Sequence, residues 1–177
     1  MEFEKTRLDG LYFLEQEKRE DDRGFFARTW CAAEFEKHGL NPVLSQCSVS
    51  YNKKKGTLRG MHFQKAPHAE AKVVLCTNGA VYDVLIDLRP GSTTFKQWLG
   101  VELTRENRRM VYIPEGFAHG FQTLADETEV YYHISVPFEP SAASGVRWND
   151  PAFGIKWPEV KERVLSPKDQ AFPLYTL

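Results

Sequence analysis

The sequence predicts an all-β fold, a β-sandwich or barrel with a few short helices. Roughly ten short runs rich in β-branched and aromatic residues are separated by Gly, Pro, Asn and Asp. These runs recur about every 8–12 residues, a spacing typical of sandwiches and barrels rather than of alternating strands and helices. A chain of 177 residues suits one domain, which we expect to cover residues 1–177.

The predicted strands follow one another with little helical sequence between them. Turn-forming sequences such as Asn78-Gly79 and Pro114-Glu115-Gly116 separate several of them. The best helical signal covers residues 30–38, where Gly39 offers a stop. After Pro137 we expect an irregular, packed segment. The predicted strands are 11–14, 25–29, 43–50, 57–63, 72–77, 80–88, 95–103, 110–113, 119–124 and 129–136.

Charge and cysteine content exclude several classes of partner. The chain has 23 Lys and Arg against 24 Asp and Glu, so no global positive field exists to hold nucleic acid or an anionic membrane. No apolar run approaches the ~20 residues of a membrane helix, and the MEFEKTRL start lacks a signal-peptide pattern. Cys31, Cys47 and Cys76 show no metal-binding spacing, which suits a reducing compartment. We therefore expect a soluble cytoplasmic protein.

The first candidate functional segment runs from Arg59 to Gln64 within a predicted strand. A histidine such as His62 between apolar neighbours is as often a buried core residue as a functional one. However, Arg59, Gln64 and Lys72 lie near it in sequence, and polar groups in a β-rich core need partners or a ligand. Strand alternation puts Arg59 and His62 on opposite faces. Both reach one cavity only if the strand bulges, which Gly60 favours.

The segment from Pro114 to Phe121 reads PEGFAHGF and resembles the second sequence signature of the cupin jelly roll. In that reading a tight turn directs His119 into the barrel. The first cupin signature usually carries His-x-His and a later Glu as metal ligands, whereas here the second position is Gln64. The sequence therefore predicts a cupin-type jelly roll without a metal, and a metal-dependent cupin oxygenase is the alternative.

Two later segments supply further candidates. Tyr131 and Tyr132 are adjacent on a predicted strand and point to opposite faces, so one of them can reach the cavity. A strand tyrosine is usually structural, although a neighbour that stabilises phenolate makes it a proton donor. The segment from Ser166 to Asp169 reads on its own as a polar surface turn. Alternatively, its carboxylate reaches a histidine and fixes the tautomer.

Set side by side, these segments resemble the dTDP-4-dehydrorhamnose 3,5-epimerase family from about Gly10 to Asp169. Their order and spacing are both kept, and the combination of RGMHFQ with PEGFAHGF is specific. The motifs that carry the resemblance are Asp22–Phe26, Lys55–Gln64, Ala71-Lys72, Asp83-Val84, Asp87–Arg89, Pro114–Phe121, Trp148–Pro151 and Ser166–Asp169.

The resemblance implies a homodimeric jelly roll, without cofactor or metal, that acts on a nucleotide-diphosphate 4-keto sugar. It makes His62 the base, Asp169 its partner, Tyr132 the acid and Lys72 the cation beside the keto oxygen. The N-terminal region would complete the nucleotide site of the partner subunit. The substrate-binding residues implied are Arg23, Phe26, Arg28, Gln46, Ser48, Arg59, Lys72, His119, Phe138 and Lys168. We expect Arg59, His62, Lys72, His119 and Tyr132 to line one cavity.

The implied reaction is chemically consistent with these side chains. The 4-keto group acidifies the protons at C3 and C5, so an isomerase needs a base, an acid on the other face and a cation at the oxyanion. Arg and Lys suit the diphosphate. The alternatives are a single-centre epimerase, an enzyme for CDP-, GDP- or UDP-linked sugars, and a non-catalytic cupin that binds a sugar nucleotide.

Four positions depart from the family pattern. Arg28 and Ala143 stand where the family usually has glutamate. Gln46-Cys47-Ser48 replaces a Gln-x-Asn sequence, and Phe138 stands where tyrosine is frequent. None of them belongs to the proposed proton-transfer set, so we expect any difference to affect the choice of nucleotide. A dTDP-linked sugar is still the first-ranked substrate.

Overall fold

The structure is a computed structural model that describes residues 1–176, and antiparallel strands account for most of its regular structure. Two short helices, α1 (Ala32–Lys37) and α2 (Pro167–Ala171), accompany them. The strands are β1 (Glu2–Lys5), β2 (Tyr12–Glu15), β3 (Arg19–Asp21), β4 (Gly24–Phe26), β5 (Gln46–Asn52), β6 (Leu58–Gln64), β7 (Lys72–Asn78), β8 (Ala80–Asp87), β9 (Trp98–Thr104), β10 (Met110–Ile113), β11 (Phe117–Thr123), β12 (Thr128–Ile134) and β13 (Ala143–Gly145).

Two sheets face each other as a sandwich. The first has six strands in the order β1-β2-β10-β7-β12-β5, and the second has five in the order β13-β6-β11-β8-β9. Strands β3 and β4 form a separate hairpin. The apolar core lies between the inner faces, where Val74, Val111 and Val130 of the first sheet meet Leu85 and Phe121 of the second. The predicted all-β sandwich with a few short helices is confirmed.

The outer face of each sheet is covered differently. Helix α1 and the chain after it cover the six-stranded sheet, where Phe35 and Leu40 pack on Tyr112. The C-terminal segment covers the five-stranded sheet, where Phe153 packs with Met61. Since the outer faces of both sheets are covered, the end of the sandwich beside β5, β6 and β13 is left for a cavity.

The ten predicted strands all form, but several of their limits were wrong. Strand β4 ends at Phe26 rather than at 29, and β5 begins at Gln46 rather than at 43. Strand β9 begins at Trp98 rather than at 95, because Lys96 adopts a left-handed φ of 64° that no strand accommodates. The predicted helix at 30–38 is present as α1 over Ala32–Lys37.

The sequence did not predict β1, β3 or β13, which have 4, 3 and 3 residues. The sequence of β3 is Arg-Glu-Asp and that of β13 is Ala-Ser-Gly, so neither has the β-branched pattern of a strand. They form because a neighbouring strand supplies the hydrogen-bond partners. Among the residues that the structure describes, no helix is long and apolar enough to span a membrane.

Candidate active site

A cavity of about 360 Å³ opens at the end of the sandwich between the two sheets. Strands β5, β6, β7, β12 and β13 contribute to its walls together with α2. Seven of the predicted site residues line it, namely Gln46, Arg59, His62, Lys72, Phe138, Lys168 and Asp169. Glu70, Phe63, Phe172 and Ala143 also line it.

A break in the register of β6 brings two of these residues to the same cavity. The pairing of β11 with β6 shifts between His119 and Phe121, opposite Gly60. Gly60 has a φ of 144°, and a Cβ added there would lie 2.6 Å from the Cα of Gly120. Only glycine fits at this position. The bulge predicted at Gly60 is therefore present, and Arg59 and His62 both face the cavity.

His62 and Asp169 form a hydrogen-bonded pair at the cavity wall. His62 Nε2 lies 2.7 Å from Asp169 Oδ1. Asp169 sits in the first turn of α2, where its backbone N–H donates to the capping Ser166 Oγ at 3.1 Å. The expectation of a polar surface turn at Ser166–Asp169 was wrong, because this turn is helical and only 4% of Asp169 is exposed. The alternative, a carboxylate that reaches a histidine, describes the structure.

The hydrogen bond between His62 and Asp169 has a defined donor and acceptor. Burial acts to raise the pKa of Asp169, but hydrogen bonds and charge from His62 and Ser166 outweigh it and hold the pKa below its usual value. An ionised Asp169 accepts a hydrogen bond from the N–H of His62 Nε2. The neutral imidazole then carries its free lone pair on Nδ1. The side chain of His62 is 42% exposed and lines the cavity.

Lys72 carries a carboxylate partner that the sequence analysis missed. Its ammonium lies 2.6 Å from Glu70 Oε1, and both side chains are only 11% exposed. Residues two apart on an extended chain share a face, so the Glu-Ala-Lys sequence contained the signal. Two hydrogen bonds between Ala71 and Ser135 hold this stretch against the end of β12.

Tyr132 and His119 are not among the residues that line the cavity: His119 is buried, whereas Tyr132 is partly exposed. His119 lies directly across the ladder from His62, and its Nε2 is 2.7 Å from Asp83 Oδ1. Tyr132 comes from the facing sheet, with its ring centroid 6.1 Å from that of His119. The expectation that all five residues line the cavity was wrong for these two. His119 is 4% exposed and Asp83 fully buried.

Burial shifts the pKa values of Asp83 and of the neighbouring Tyr132. Burial raises the pKa of Asp83, and the charges of His119 and Lys72 oppose the rise. Its Oδ2 has no hydrogen-bond partner within residues 1–176. The pKa of Tyr132 is raised far above its ordinary value by burial and by Asp83, with Arg59 opposing. Tyr132 is therefore a neutral phenol with a proton to donate. Asp83 belongs to a motif that carries the family resemblance, but the sequence indicates no role for it.

Four predicted residues lie away from this cavity in the same chain. Arg23 and Phe26 lie on the β3–β4 hairpin. The side chain of Arg23 is 90% exposed, and Phe26 is 74% exposed. Arg28 pairs with Glu34 at 2.6 Å beside a separate surface depression. Ser48 lies opposite Tyr132 in the β5–β12 ladder but does not line the cavity.

The cavity leaves two cations without a carboxylate partner. Asp169 is engaged with His62, and Glu70 with Lys72. Within the described chain, Arg59 and Lys168 form no ion pair, and Arg59 Nε donates instead to Asn52 Oδ1 at 2.7 Å. Two such cations beside an exposed Phe138 suit an anion attached to a planar group. No group of three His, Cys, Asp or Glu residues among those described is placed to hold a metal.

Comparison with known proteins gives one consistent result. Residues 5–176 match the family model described as dTDP-4-dehydrorhamnose 3,5-epimerase. A protein of that name from Escherichia coli is 40% identical over 174 residues, covering 98% of this chain and 92% of the relative.

Solved structures agree in fold. A dTDP-4-dehydrorhamnose 3,5-epimerase from Bacillus anthracis, solved with TDP and PPi bound, has a TM-score of 0.94 and 41% identity, with 98% and 99% of the two chains covered. A dTDP-6-deoxy-D-glucose-3,5-epimerase from Legionella pneumophila, in complex with dTDP-4-keto-L-rhamnose, has a TM-score of 0.92 and 37% identity, with 98% and 92% covered. The sandwich is therefore the cupin-type jelly roll expected from the sequence.

Proposed function

Because the chain belongs to the dTDP-4-dehydrorhamnose 3,5-epimerase family, we propose that its cavity inverts C3 and C5 of a dTDP-4-keto-6-deoxyhexose. The protein is a carbohydrate epimerase, an isomerase. One observation supports the mechanism: the His62–Asp169 pair stands on the five-stranded side, and the partly exposed Tyr132 belongs to the facing sheet. Inversion requires this arrangement, because the proton must leave from one face of the sugar ring and return to the other.

His62 is the base in this proposal. Its Nδ1 carries the free lone pair, and it removes the proton at C3 or C5 that the neighbouring keto group has acidified. The imidazolium that forms is stabilised by the ionised Asp169 at 2.7 Å. Because the side chain is 42% exposed, the proton can pass to solvent before the second centre reacts.

Tyr132 is the acid on the opposite face. Burial and the charge of Asp83 keep it protonated, and Arg59 offsets part of the cost of forming its phenolate. Proton transfer from its hydroxyl to the enolate carbon completes one inversion. Donation leaves Tyr132 as a phenolate, which regains a proton from solvent, just as His62 releases one, before the second centre reacts. The same two residues then serve C3 and C5 once the ring has been repositioned.

Lys72 stabilises the enolate oxygen. Its side chain is 11% exposed, so little water screens its charge from an oxygen that becomes negative during proton removal. A positioned ammonium of this kind stabilises the transition state more than the neutral ketone, which is the condition for raising kcat. The proton transfers themselves need no group beyond these side chains.

Arg59 and Lys168 bind the diphosphate in this proposal, and Phe138 stacks on the nucleotide base. Both cations lack a carboxylate partner among the described residues, and the ring of Phe138 is 59% exposed at the cavity. Gln46 accepts from the backbone N–H of Phe138 at 3.1 Å and so fixes the chain that carries the ring. The bound ligands named for the two similar structures favour a thymidine nucleotide.

We also propose a homodimer in which the β3–β4 hairpin completes the nucleotide site of the partner. Arg23 and Phe26 are exposed and lie away from their own cavity. Strand β5 is an edge strand whose outer face exposes Val49 at 56% and Tyr51 at 49%. An apolar edge strand is a ready surface for a second copy.

The whole chain would act as one domain, and its three cysteines are free, which suits the reducing cytoplasm.

Deuterium incorporation from heavy water tests the function. The protein is incubated with dTDP-4-keto-6-deoxyglucose, and proton NMR follows C3 and C5 separately. We expect deuterium at both carbons together with inverted stereochemistry. Exchange at one carbon alone would identify a single-centre epimerase. Binding of the substrate without any exchange would identify a non-catalytic binding protein.

A further inference from the structure

Glu70 has no place in the proton transfers, yet it lies in the substrate cavity. Its carboxylate lines the same wall as Lys72 and is only 11% exposed. The substrate carries a diphosphate, so a carboxylate here repels the ligand and costs binding energy. A buried carboxylate in an anion-binding cavity therefore needs a compensating role.

We propose that Glu70 is a positioning residue that keeps Lys72 charged and aimed at the enolate oxygen. This inference rests on the proposed epimerase function. The distance of 2.6 Å between Lys72 Nζ and Glu70 Oε1 is that of a short charge-assisted hydrogen bond. A buried ammonium without such a partner is expensive and tends to lose its proton.

The backbone prepares this contact. Ala71 N–H donates to Ser135 Oγ at 2.9 Å, and Ser135 N–H donates to the carbonyl of Ala71 at 3.0 Å. The residue between Glu70 and Lys72 is thus tied to the chain that follows β12. Strand β7 begins at Lys72, and the side chains of Glu70 and Lys72 line the same cavity. Glu70 is held in place before substrate arrives.

Glu70 is the only carboxylate within ion-pair distance of Lys72 in residues 1–176. Asp83 is near enough to Lys72 for a charge on its carboxyl group to interact with the ammonium, but its hydrogen-bond partner is His119. Removing the charge of Glu70 therefore leaves a mostly buried ammonium without a direct partner. The other charged and titratable side chains that line the cavity with Lys72 are Arg59, His62, Lys168 and Asp169, and Asp83 interacts with Lys72 through charge.

The test compares Glu70→Gln, Glu70→Asp and the unaltered protein in kcat and KM across pH 6–10. In Glu70→Gln we expect kcat to fall about tenfold, less than the loss of a direct oxyanion donor. We expect KM to stay equal or to fall, because a charge that repels the diphosphate is gone. The alkaline limb of the kcat profile should move to lower pH, as Lys72 loses its proton more readily. Glu70→Asp, which keeps the charge, should restore the limb.

Glu139→Gln is the control, because Glu139 is a carboxylate next to Phe138 that does not line the cavity and accepts from Ser141 instead. It should leave the alkaline limb in place. Competitive acetylation followed by peptide mass spectrometry gives a readout that does not need turnover. Lys72 should be acetylated faster in Glu70→Gln than in the unaltered protein at pH 8, while other lysines react equally.

An unchanged or higher kcat with an unmoved alkaline limb in Glu70→Gln would overturn the inference, as would equal acetylation of Lys72. A higher kcat would mean that Glu70 competes for Lys72 instead of supporting it. If the unaltered protein turned over no 4-keto sugar, the proposed function would fail, whereas an active protein with an indifferent Glu70 would refute only this inference.

Discussion

Replacing Asp169 with asparagine removes the charge behind the proposed base while keeping the shape of the side chain. Asp169 is 4% exposed, and its Oδ1 lies 2.7 Å from His62 Nε2. A hydrogen bond to a charged group contributes about 1.5–3 kcal/mol. At 1.36 kcal/mol for each factor of ten, Asp169→Asn should lower kcat/KM by roughly 10- to 150-fold. The Ser166 cap should persist, because it binds the backbone N–H of residue 169.

The pH profile separates this effect from misfolding. The pKa of Asp169 is depressed, so the native carboxylate stays charged as pH falls to its usual pKa near 3.8 and below. In the variant, protonated His62 lacks its anion, so the acidic limb of kcat/KM should move to lower pH. Asp150→Asn is the control, because Asp150 is buried and accepts backbone N–H groups outside the cavity. Retention of more than half of kcat/KM with an unmoved acidic limb would refute the assigned pairing.

Three further predictions concern stability, assembly and the nucleotide. Although burial opposes it, hydrogen bonds from Arg89, Ser92 and Thr94 lower the pKa of Asp87 from 3.8 to about 2. This stabilisation of roughly 2 kcal/mol is present above about pH 4 and is lost as pH falls through 2. The free energy of unfolding, measured with urea at pH 7, should be roughly 2 kcal/mol lower for Asp87→Asn than for the unaltered protein. Asp126→Asn, in an exposed turn, should show no such loss, and equal stabilities of the two variants would contradict the prediction. Light scattering should give a dimer. The hairpin variant Phe26→Ser should raise KM for the dTDP sugar at least several-fold and leave KM for an isolated 4-keto sugar unaffected. A fully active monomer would rule out the shared site. The family resemblance implies carboxylates at positions 28 and 143, where this chain has Arg28 and Ala143, and losing one buried partner should lower binding of the nucleotide by about 5- to 150-fold and relax the choice of base. Comparison of kcat/KM for dTDP, CDP, GDP and UDP sugars checks this, and a preference for dTDP of a hundredfold or more would show that the two substitutions do not matter.

The local parts of the site were predictable because their signals lie within short segments. Gly60 stands two residues before His62, and a bulge at a glycine follows from backbone sterics alone. The Pro114–Phe121 segment likewise combines its own turn and strand. Each signal depends on neighbours in sequence, and the structure reproduces both of them.

Side-chain pairing was predictable only where the resemblance supplied it. Asp83 and His119 are 36 residues apart, and no alternation or spacing rule indicates that they meet. Glu70 and Lys72 are two residues apart, so their common face could have been read from the chain, but burial of that face depends on the tertiary fold. Asp169 looked like part of a surface turn because helix α2 is only five residues long.

Arg28 shows the same limit in reverse. From the sequence, Arg28 changes an acceptor into a donor at the nucleotide site. In the structure its guanidinium binds Glu34 of α1, and the cavity of the same chain lies elsewhere. A substitution acts through its surroundings, and those come from the far side of a fold or from a second subunit.

The most direct test of a base and an acid that act on opposite faces of the sugar ring is the behaviour of Tyr132→Phe in heavy water. The account predicts that the unaltered protein places deuterium at C3 and C5 with inversion. Tyr132→Phe should still exchange these protons through His62 but return them to the original face, so deuterium appears with retained stereochemistry. His62→Ala should exchange neither, which serves as the control. If Tyr132→Phe inverts both centres at the normal rate, or loses exchange and inversion equally, Tyr132 is not the acid and the account is wrong.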